Sequence, residues 1–150
     1  MKTLLIRPYR KEDEHDVIAL WFACQLVVPA NNPKRDIDRK LLVNPELFLV
    51  GSLNQKIVAT CMAGYDGHRG WINYLAVSPD HRRQGIATMI MKAAEKRLKS
   101  LGCPKINIQI RATNTAVPAF YERIGFANDD VLSMGKRLEP DPPYGNDEIR

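Results

Sequence analysis

Residues Leu75 to Lys99 read L-A-V-S-P-D-H-R-R-Q-G-I-A-T-M-I-M-K-A-A-E-K-R-L-K, and this pattern predicts a strand, a tight basic loop and a helix. Ile72, Asn73, Tyr74, Leu75, Ala76 and Val77 form a β-prone run that stops at Ser78-Pro79, because proline cannot extend a ladder and restricts the residue before it. Beyond the loop, Ala87, Ile90, Met91, Ala94, Leu98 and Leu101 recur at helical spacing. Lys92, Glu95, Lys96 and Lys99 take the other side, and Gly102 is placed to end the helix. The connecting residues Arg82-Arg83-Gln84-Gly85-Ile86-Ala87-Thr88 are the informative ones. A glycine there lets the backbone approach a ligand, and the free N–H groups of a helix start, its dipole and two arginines converge on one place. That place suits an anion, most naturally a diphosphate, although an ordinary helix start with solvated arginines fits the same residues.

Working outward, Trp71 and the strand follow a polar turn, Tyr65-Asp66-Gly67-His68-Arg69-Gly70. Upstream, Leu47–Val50 and Lys56–Ala63 read as strands joined by Ser52-Leu53-Asn54-Gln55, a hairpin turn. Leu4–Arg7 is a first strand ended by Pro8. Asp13 is placed to cap a helix carrying Val17, Leu20, Trp21 and Cys24 on one stripe, and Asn32-Pro33 starts a second helix that Asn44-Pro45 stops. Downstream, Lys105–Ile110 is a strand, and the helical crossover before it makes it parallel to Leu75–Val77. Asn114 or Thr115 can cap a short helix through Ile124, ended by Gly125, with Phe126 folding back; Val131–Leu138 reads as a final strand.

The composition bounds this picture. The 150 residues with 45% hydrophobic content predict one domain over residues 1–138 with a real core. Residues 139–150 carry Pro140, Pro142, Pro143 and four acids and read as a poorly ordered tail. The net charge is +5; the tail's four acids against Arg150 remove three units, so residues 1–138 carry +8. Such a charge is compatible with a polyanionic cofactor, nucleic acid or an acidic membrane. Met1–Arg7 holds too short an apolar run for a signal peptide, and no stretch approaches the roughly 18 residues of a membrane helix, so a soluble, cytoplasmic protein without membrane partner is expected. Cys24, Cys61 and Cys103 are odd in number and widely spaced, and they read as reduced core thiols, with no metal site.

Arg82, Gly85 and Ala87, preceded by Leu75-Ala76-Val77-Ser78-Pro79, resemble the acetyl-CoA signature Arg/Gln-x-x-Gly-x-Gly/Ala of the GNAT N-acetyltransferase superfamily. Asn114 with Ala119-Phe120-Tyr121-Glu122-Arg123-Ile124-Gly125-Phe126 is similar to its second block, and the Tyr65–Gly70 turn resembles that of a small bacterial subgroup of predicted acetyltransferases. The resemblance implies an α/β (α+β) fold with a mixed, mostly antiparallel sheet of six or seven strands and about four helices. The two early helices would wall a substrate cleft, and the cofactor would lie between the signature strand and the parallel strand after it. It implies acetyl-CoA held by Leu75, Ala76, Val77, Arg82, Arg83, Gln84, Gly85, Ile86, Ala87, Thr88, Asn114 and Tyr121. It also implies a strand bulge near Leu75–Val77 whose N–H groups steady the carbonyl oxygen.

The expected activity is acetyl transfer to a primary amine by direct attack in a ternary complex. Tyr121, next to Phe120 and one turn from Val117, lies at the border of a buried stripe and is the expected general acid; a tyrosine packing against the sheet is the plainer alternative. The signature strand carries no carboxylate where many relatives have a glutamate. Asp66 and His68 are the nearest candidates for the base, and a turn-forming Asp-Gly with a solvated histidine is the plainer, preferred explanation. His81 can help hold phosphate or remain a loop histidine, and Trp71 and Tyr74 can line the acceptor pocket or pack. Two rival readings remain at this level: an acyl-CoA-binding sensor that has lost turnover, and a nucleic-acid binder suggested by Arg82, Arg83, Lys92, Lys96, Arg97, Lys99 and Lys105. The second lacks interleaved exposed aromatics, so no nucleic-acid partner is expected. A monomer or homodimer is expected.

Overall fold

The computed structural model describes residues 3–145. Its sheet has five strands, β1 (Leu5–Pro8), β2 (Phe48–Leu53), β3 (Lys56–Tyr65), β4 (Gly70–Val77) and β5 (Ile106–Ile108), lying side by side in that order. The first four pair antiparallel. Asn54 and Gln55, both left-handed (φ 51° and 68°), close the hairpin between β2 and β3 in two residues. β4 and β5 are parallel, as the crossover through α3 (Ile86–Ser100) requires. Between β1 and β2 lie α1 (Glu14–Ala23) and α2 (Pro33–Lys40), and α4 (Val117–Arg123) follows β5.

The sheet separates two apolar layers, and β2 feeds both because successive residues of a strand point to opposite faces. Leu49 joins Cys61, Ile72, Ile90, Met91 and Leu98 under α3, with Tyr121, Ile124 and Phe126 packed at that layer's margin. Phe48 and Val50 join Val17, Trp21, Ile37 and Met62 under α1 and α2. Alternation therefore decides which residues of β4 face which layer: Leu75 and Val77 belong to the α3 side, Tyr74 and Ala76 to the α1–α2 side.

Four expectations need correction. The sheet has five strands among the described residues, fewer than the six or seven expected. Val131–Leu138 is no strand: Val131, Leu132, Met134 and Leu138 are 79–88% exposed. The physical reason is the shortness of β5, only three residues of the six expected, which leaves little edge for a further strand to pair with. Side chains flanking β5 hold this part of the chain instead, Lys105 to Asp129 just before the segment and Gln109 to Ser133 within it, both at 2.6 Å. Asp13 does not cap α1, because its carboxylate is taken by the Arg7 guanidinium (2.7 and 2.9 Å) and the Arg10 N–H (2.8 Å). Neither Asn114 nor Thr115 caps α4, whose N-cap position is Ala116 with no capping side chain. Asn32 does cap α2, accepting from the N–H groups of Lys34 (3.1 Å) and Arg35 (3.2 Å).

Residues 139–145 hold no helix or strand, and they lie along the α1–α2 side. Asp141 accepts from the Asn32 N–H (3.1 Å) and pairs with Arg39, the Pro142 carbonyl accepts from Asn32 Nδ2 (2.9 Å), and Tyr144 packs on Phe22 with ring centroids 5.8 Å apart. The last five residues of the predicted tail, 146–150, fall outside the described residues.

Candidate active site

β4 runs beside β3 from end to end, with one interruption, and beside β5 over only three of its eight residues. Its pairing with β5 covers only Gly70, Trp71 and Ile72, so among the described residues the edge facing away from β3 has no strand partner from Asn73 to Val77, where the Val77 carbonyl accepts from Cys24 Sγ and Arg82 Nε. On the β3 side the register passes from Met62↔Asn73 to Thr60↔Ala76, which sets Tyr74 and Leu75 against Cys61 alone. This is a bulge, at the position where the resemblance implied one, and Tyr74 takes the left-handed backbone (φ 50°) that it needs. A bulge leaves peptide groups outside the ladder, available to a ligand lying along the strand.

The far end of that open edge runs through a short 3-10 turn, Pro79–His81, into the start of α3. Gly85 is the N-cap, left-handed at φ 76°, and no side chain caps the helix. A methyl group built on Gly85 would meet nothing within 4 Å, so the glycine answers a backbone conformation and an open approach, and no packing constraint. Arg82, Arg83 and Gln84 are exposed, Ala87 and Thr88 are partly exposed, and Ile86 is buried and anchors the turn. Arg82 is partly engaged, donating from Nε to the Val77 carbonyl at 3.3 Å. Uncapped N–H groups, a helix dipole and two guanidinium groups at the end of an open strand edge make a seat for a phosphate-bearing chain that can extend along β4. These residues fit coenzyme A on that ground. A cavity of about 600 Å³ borders this turn, lined by Asp80, His81, Gln84, Ile86 and Met89 together with Thr3, Leu4 and Leu53, and none of its lining comes from β4, β5 or α4. His81 faces it, its Nδ1 buried with no hydrogen-bond partner among the described residues.

Tyr121 lies in the α3-side layer with Leu75 and Val77, so the expected acid and the open strand share one face of the sheet. Phe120 and Phe126 hold it edge-on, with centroids at 5.1 and 5.5 Å, and the Phe126 N–H returns to the Tyr121 carbonyl at 2.9 Å. Burial, with Cys61 nearby, pushes the Tyr121 hydroxyl up to about 12. The phenol keeps its proton at neutral pH. Asn114 is exposed in the turn before α4, its N–H bonded to the Arg111 carbonyl at 2.9 Å.

Asp66 and His68 do stand together, in the turn they were expected to form. Asp66 Oδ1 accepts from the N–H groups of His68 (2.8 Å) and Arg69 (2.7 Å), and Oδ2 from Trp71 Nε1 (3.3 Å). The Arg69 and His68 N–H bonds, in that order, hold this exposed carboxyl below its usual range, which makes it a weaker proton acceptor. The geometry therefore favours the turn-forming role for Asp66.

The structure also joins residues that no local spacing connects. Tyr74 Oη donates to Asp36 Oδ2 of α2 at 2.6 Å, and Trp21 Nε1 donates to Thr60 Oγ1 (2.9 Å), which donates to the Tyr74 carbonyl (2.8 Å). Asp36 is 38 positions before Tyr74, and its only sequence signal is a carboxylate on a helix already expected to wall the cleft. Among the described residues no cluster of three or more His, Cys, Asp or Glu could hold a metal ion, and no helix is long and apolar enough to cross a membrane.

Comparison with known proteins bears on the family and the fold. A protein named acetyltransferase from Yersinia pestis (strain Pestoides F) is 46% identical over 139 residues, covering 93% of this chain and 99% of that one. The fold is similar to the apo crystal structure of an aminoglycoside antibiotic 6'-N-acetyltransferase from Acinetobacter haemolyticus (TM-score 0.71, 19% identity, 90% and 99% of the two chains). It is also similar to the aminoglycoside N-acetyltransferase AAC(6')-Iy in complex with CoA (TM-score 0.72, 14% identity, 92% and 97%). At these identities the two structures speak for the fold alone. Residues 5–126 match the acetyltransferase (GNAT) family, covering both the bulged strand and the helix of Tyr121, and the chain belongs to that family.

Proposed function

We propose that this acetyltransferase moves an acetyl group from acetyl-CoA to a primary amine by direct attack, with both substrates bound together. The observation that carries the reading is the uncapped start of α3 at Gly85, in line with the open edge of β4 and on the same face as Tyr121. Acetyl-CoA supplies the activated acetyl thioester. Gly85, Ile86, Ala87 and Thr88 offer backbone N–H groups to its phosphates, Arg82, Arg83 and Gln84 surround them, and residues Asn73–Val77 offer an unpaired strand edge to its arm, with Asn114 beside it. The bulge at Tyr74–Leu75 presents N–H groups where negative charge grows on the carbonyl oxygen. Tyr121 donates a proton to the departing sulfur.

Attack needs a neutral amine. An amine of pKa about 10.4 is neutral in about one molecule in two thousand at pH 7, a barrier contribution of about 4 to 5 kcal/mol unless the protein takes the proton. No covalent enzyme intermediate is called for: burial drives the Cys61 thiol, which lies on the Tyr121 face, up to about 12, so it is not a nucleophile at neutral pH.

The test is thiol release from acetyl-CoA in the presence of an aminoglycoside, spermidine, lysine and a peptide with a free N-terminus. At least one amine should accelerate release, and Tyr121→Phe should slow it about 100-fold while the calorimetric affinity for acetyl-CoA changes little. An unchanged rate in Tyr121→Phe removes the acid assignment. Tight binding of acetyl-CoA with no amine-dependent release would make the chain a cofactor sensor.

A further inference from the structure

The bulge that opens β4 also aims Tyr74 at α2. Its ring is stacked on Trp21 with centroids 3.7 Å apart and planes 13° apart, and its carbonyl is held by Thr60. Thr60 in turn is fully buried and held by Trp21. The ring is thus fixed from two directions, and its hydroxyl donates to Asp36 Oδ2 at 2.6 Å, a short charge-assisted bond. A phenol has one hydrogen. With that hydrogen spent on Asp36, the Tyr74 oxygen can offer a third group only its lone pairs, backed by a carboxylate. Such a group receives an ammonium and repels an anion.

The charges around it point the same way. Asp36 faces Tyr74 from β4 and Arg39 on its own helix at 3.3 Å. Arg39 is shared with Asp141 from the tail (3.2 Å), and Arg137 acts on Asp141 from farther off. One guanidinium thus serves two carboxylates directly, so Asp36 shares Arg39 with Asp141 and keeps the Tyr74 hydroxyl as a second close partner. Burial first, and Asp36 second, raise the Tyr74 pKa, so the hydroxyl stays protonated.

We propose that Tyr74 is the docking point for the acceptor's ammonium group and that Asp36, acting through the Tyr74 hydroxyl, is the proton outlet that the signature strand itself lacks. This rests on the acetyl-transfer reading above and narrows it to acceptors that arrive as cations. In the relay the ammonium gives one N–H proton to Tyr74 Oη while the Tyr74 hydrogen moves to Asp36, leaving a neutral amine, a phenol and a neutral carboxylic acid. The amine nitrogen then bonds to the acetyl carbon as the C–S bond breaks. Its second proton restores the one that Tyr121 gives to sulfur, and Asp36 releases its proton to water.

The test compares wild type, Asp36→Asn, Asp36→Glu and Tyr74→Phe, with acetyl-CoA and the panel amine that wild type turns over fastest, between about pH 6 and pH 10. Asp36→Asn and Tyr74→Phe should lower kcat/KM about 100-fold near neutral pH and leave acetyl-CoA affinity within about twofold. The deficit should shrink as pH approaches the amine's own pKa, since solution then delivers the neutral amine unaided. Asp36→Glu should recover part of the rate. Tyr74→Phe keeps the stack on Trp21, so it decides the matter if Asp36→Asn fails to fold. Full turnover in Tyr74→Phe or in a folded Asp36→Asn overturns the proposal, as does a deficit equal at every pH or accompanied by lost cofactor affinity, which marks a merely structural pair. A wild-type protein that binds acetyl-CoA yet accelerates with no amine sinks the acetyl-transfer reading and this inference with it; active wild type beside unaffected variants sinks the inference alone.

Discussion

Two helices of this molecule begin in opposite ways. At α2 the first turn is closed: Asn32 accepts from two of its N–H groups, Pro33 removes a third donor, and Asp141 takes the N–H of the cap residue itself. At α3 nothing closes the turn, because Gly85 has no side chain and the residues before it are arginines and glutamine, poor N-caps. Capping a helix contributes about 1 kcal/mol, so a chain that caps an eight-residue helix and leaves a fifteen-residue one open has forgone stability at α3. The comparison teaches that the first-turn N–H groups of α2 are satisfied within the chain, while at the start of α3 no side chain meets them.

The sharpest way to break the contrast is to close α3 from within. Gly85→Asp puts a carboxylate over the free N–H groups, where it mimics the cap of α2 and competes with phosphate. Acetyl-CoA affinity by calorimetry should fall at least about 100-fold, from the occupied donors and from charge repulsion together. The left-handed backbone at φ 76° penalises a side chain by about 1 to 2 kcal/mol, which offsets the stability gained from the new cap, so the melting temperature should change little. Retained affinity would show that phosphate does not sit at this turn.

The next effect is on the satisfied side. Thr60→Val keeps the shape of the side chain, but it strips the partner from Trp21 Nε1 and from the Tyr74 carbonyl inside a fully buried region. We expect a loss of about 2 kcal/mol in denaturant unfolding, since the groups left unpaired bear the desolvation cost. We also expect turnover to fall more than cofactor affinity, because the bulge loses its brace while the α3 turn is untouched. Equal loss in both would mean that the two sides of β4 are not independent.

How much of this was legible depends on the distance over which each signal acts. The loop at Gly85, the capping Asn32, the hairpin at Asn54-Gln55 and the parallel β5 are local or topological, and the sequence carries them in runs of a few residues. Asp13 misled because capping chemistry is the same whichever donor the carboxylate meets: Arg7, six residues earlier and on a strand, outcompetes the helix. Val131–Leu138 has strand-like alternation, yet alternation states only that two faces differ, and a strand exists only if an edge is free to receive it. β5, at three residues, offers little. The Tyr74–Asp36 bond was illegible for another reason. It needs the bulge to turn Tyr74 toward the α1–α2 layer, and a bulge is a fault in register between two strands, with no residue type that announces it.

The smallest expected effect tests whether the satisfied side is closed by the tail as well as by Asn32. The hydrogen bond from Arg39 first, and the Asn32 N–H second, hold the Asp141 carboxyl down at about 2. A carboxyl whose pKa is lower in the folded chain stabilises it above the unfolded value, about 3.9, and that contribution disappears as pH falls through the folded value. Asp141→Asn should therefore lower the melting temperature at neutral pH, and the difference from wild type should close as pH falls from about 4 to about 2. The loss should stay under about 1 kcal/mol because Arg39 is largely exposed and salt screens the pair. Asn32→Ala, which removes both the cap and the Nδ2 bond to Pro142, should cost about 1 kcal/mol and keep its cost across the same range, having no proton to gain. If the Asp141→Asn difference were also constant with pH, the tail would be held by Asn32 and by Tyr144 on Phe22, and the ion pair would add nothing.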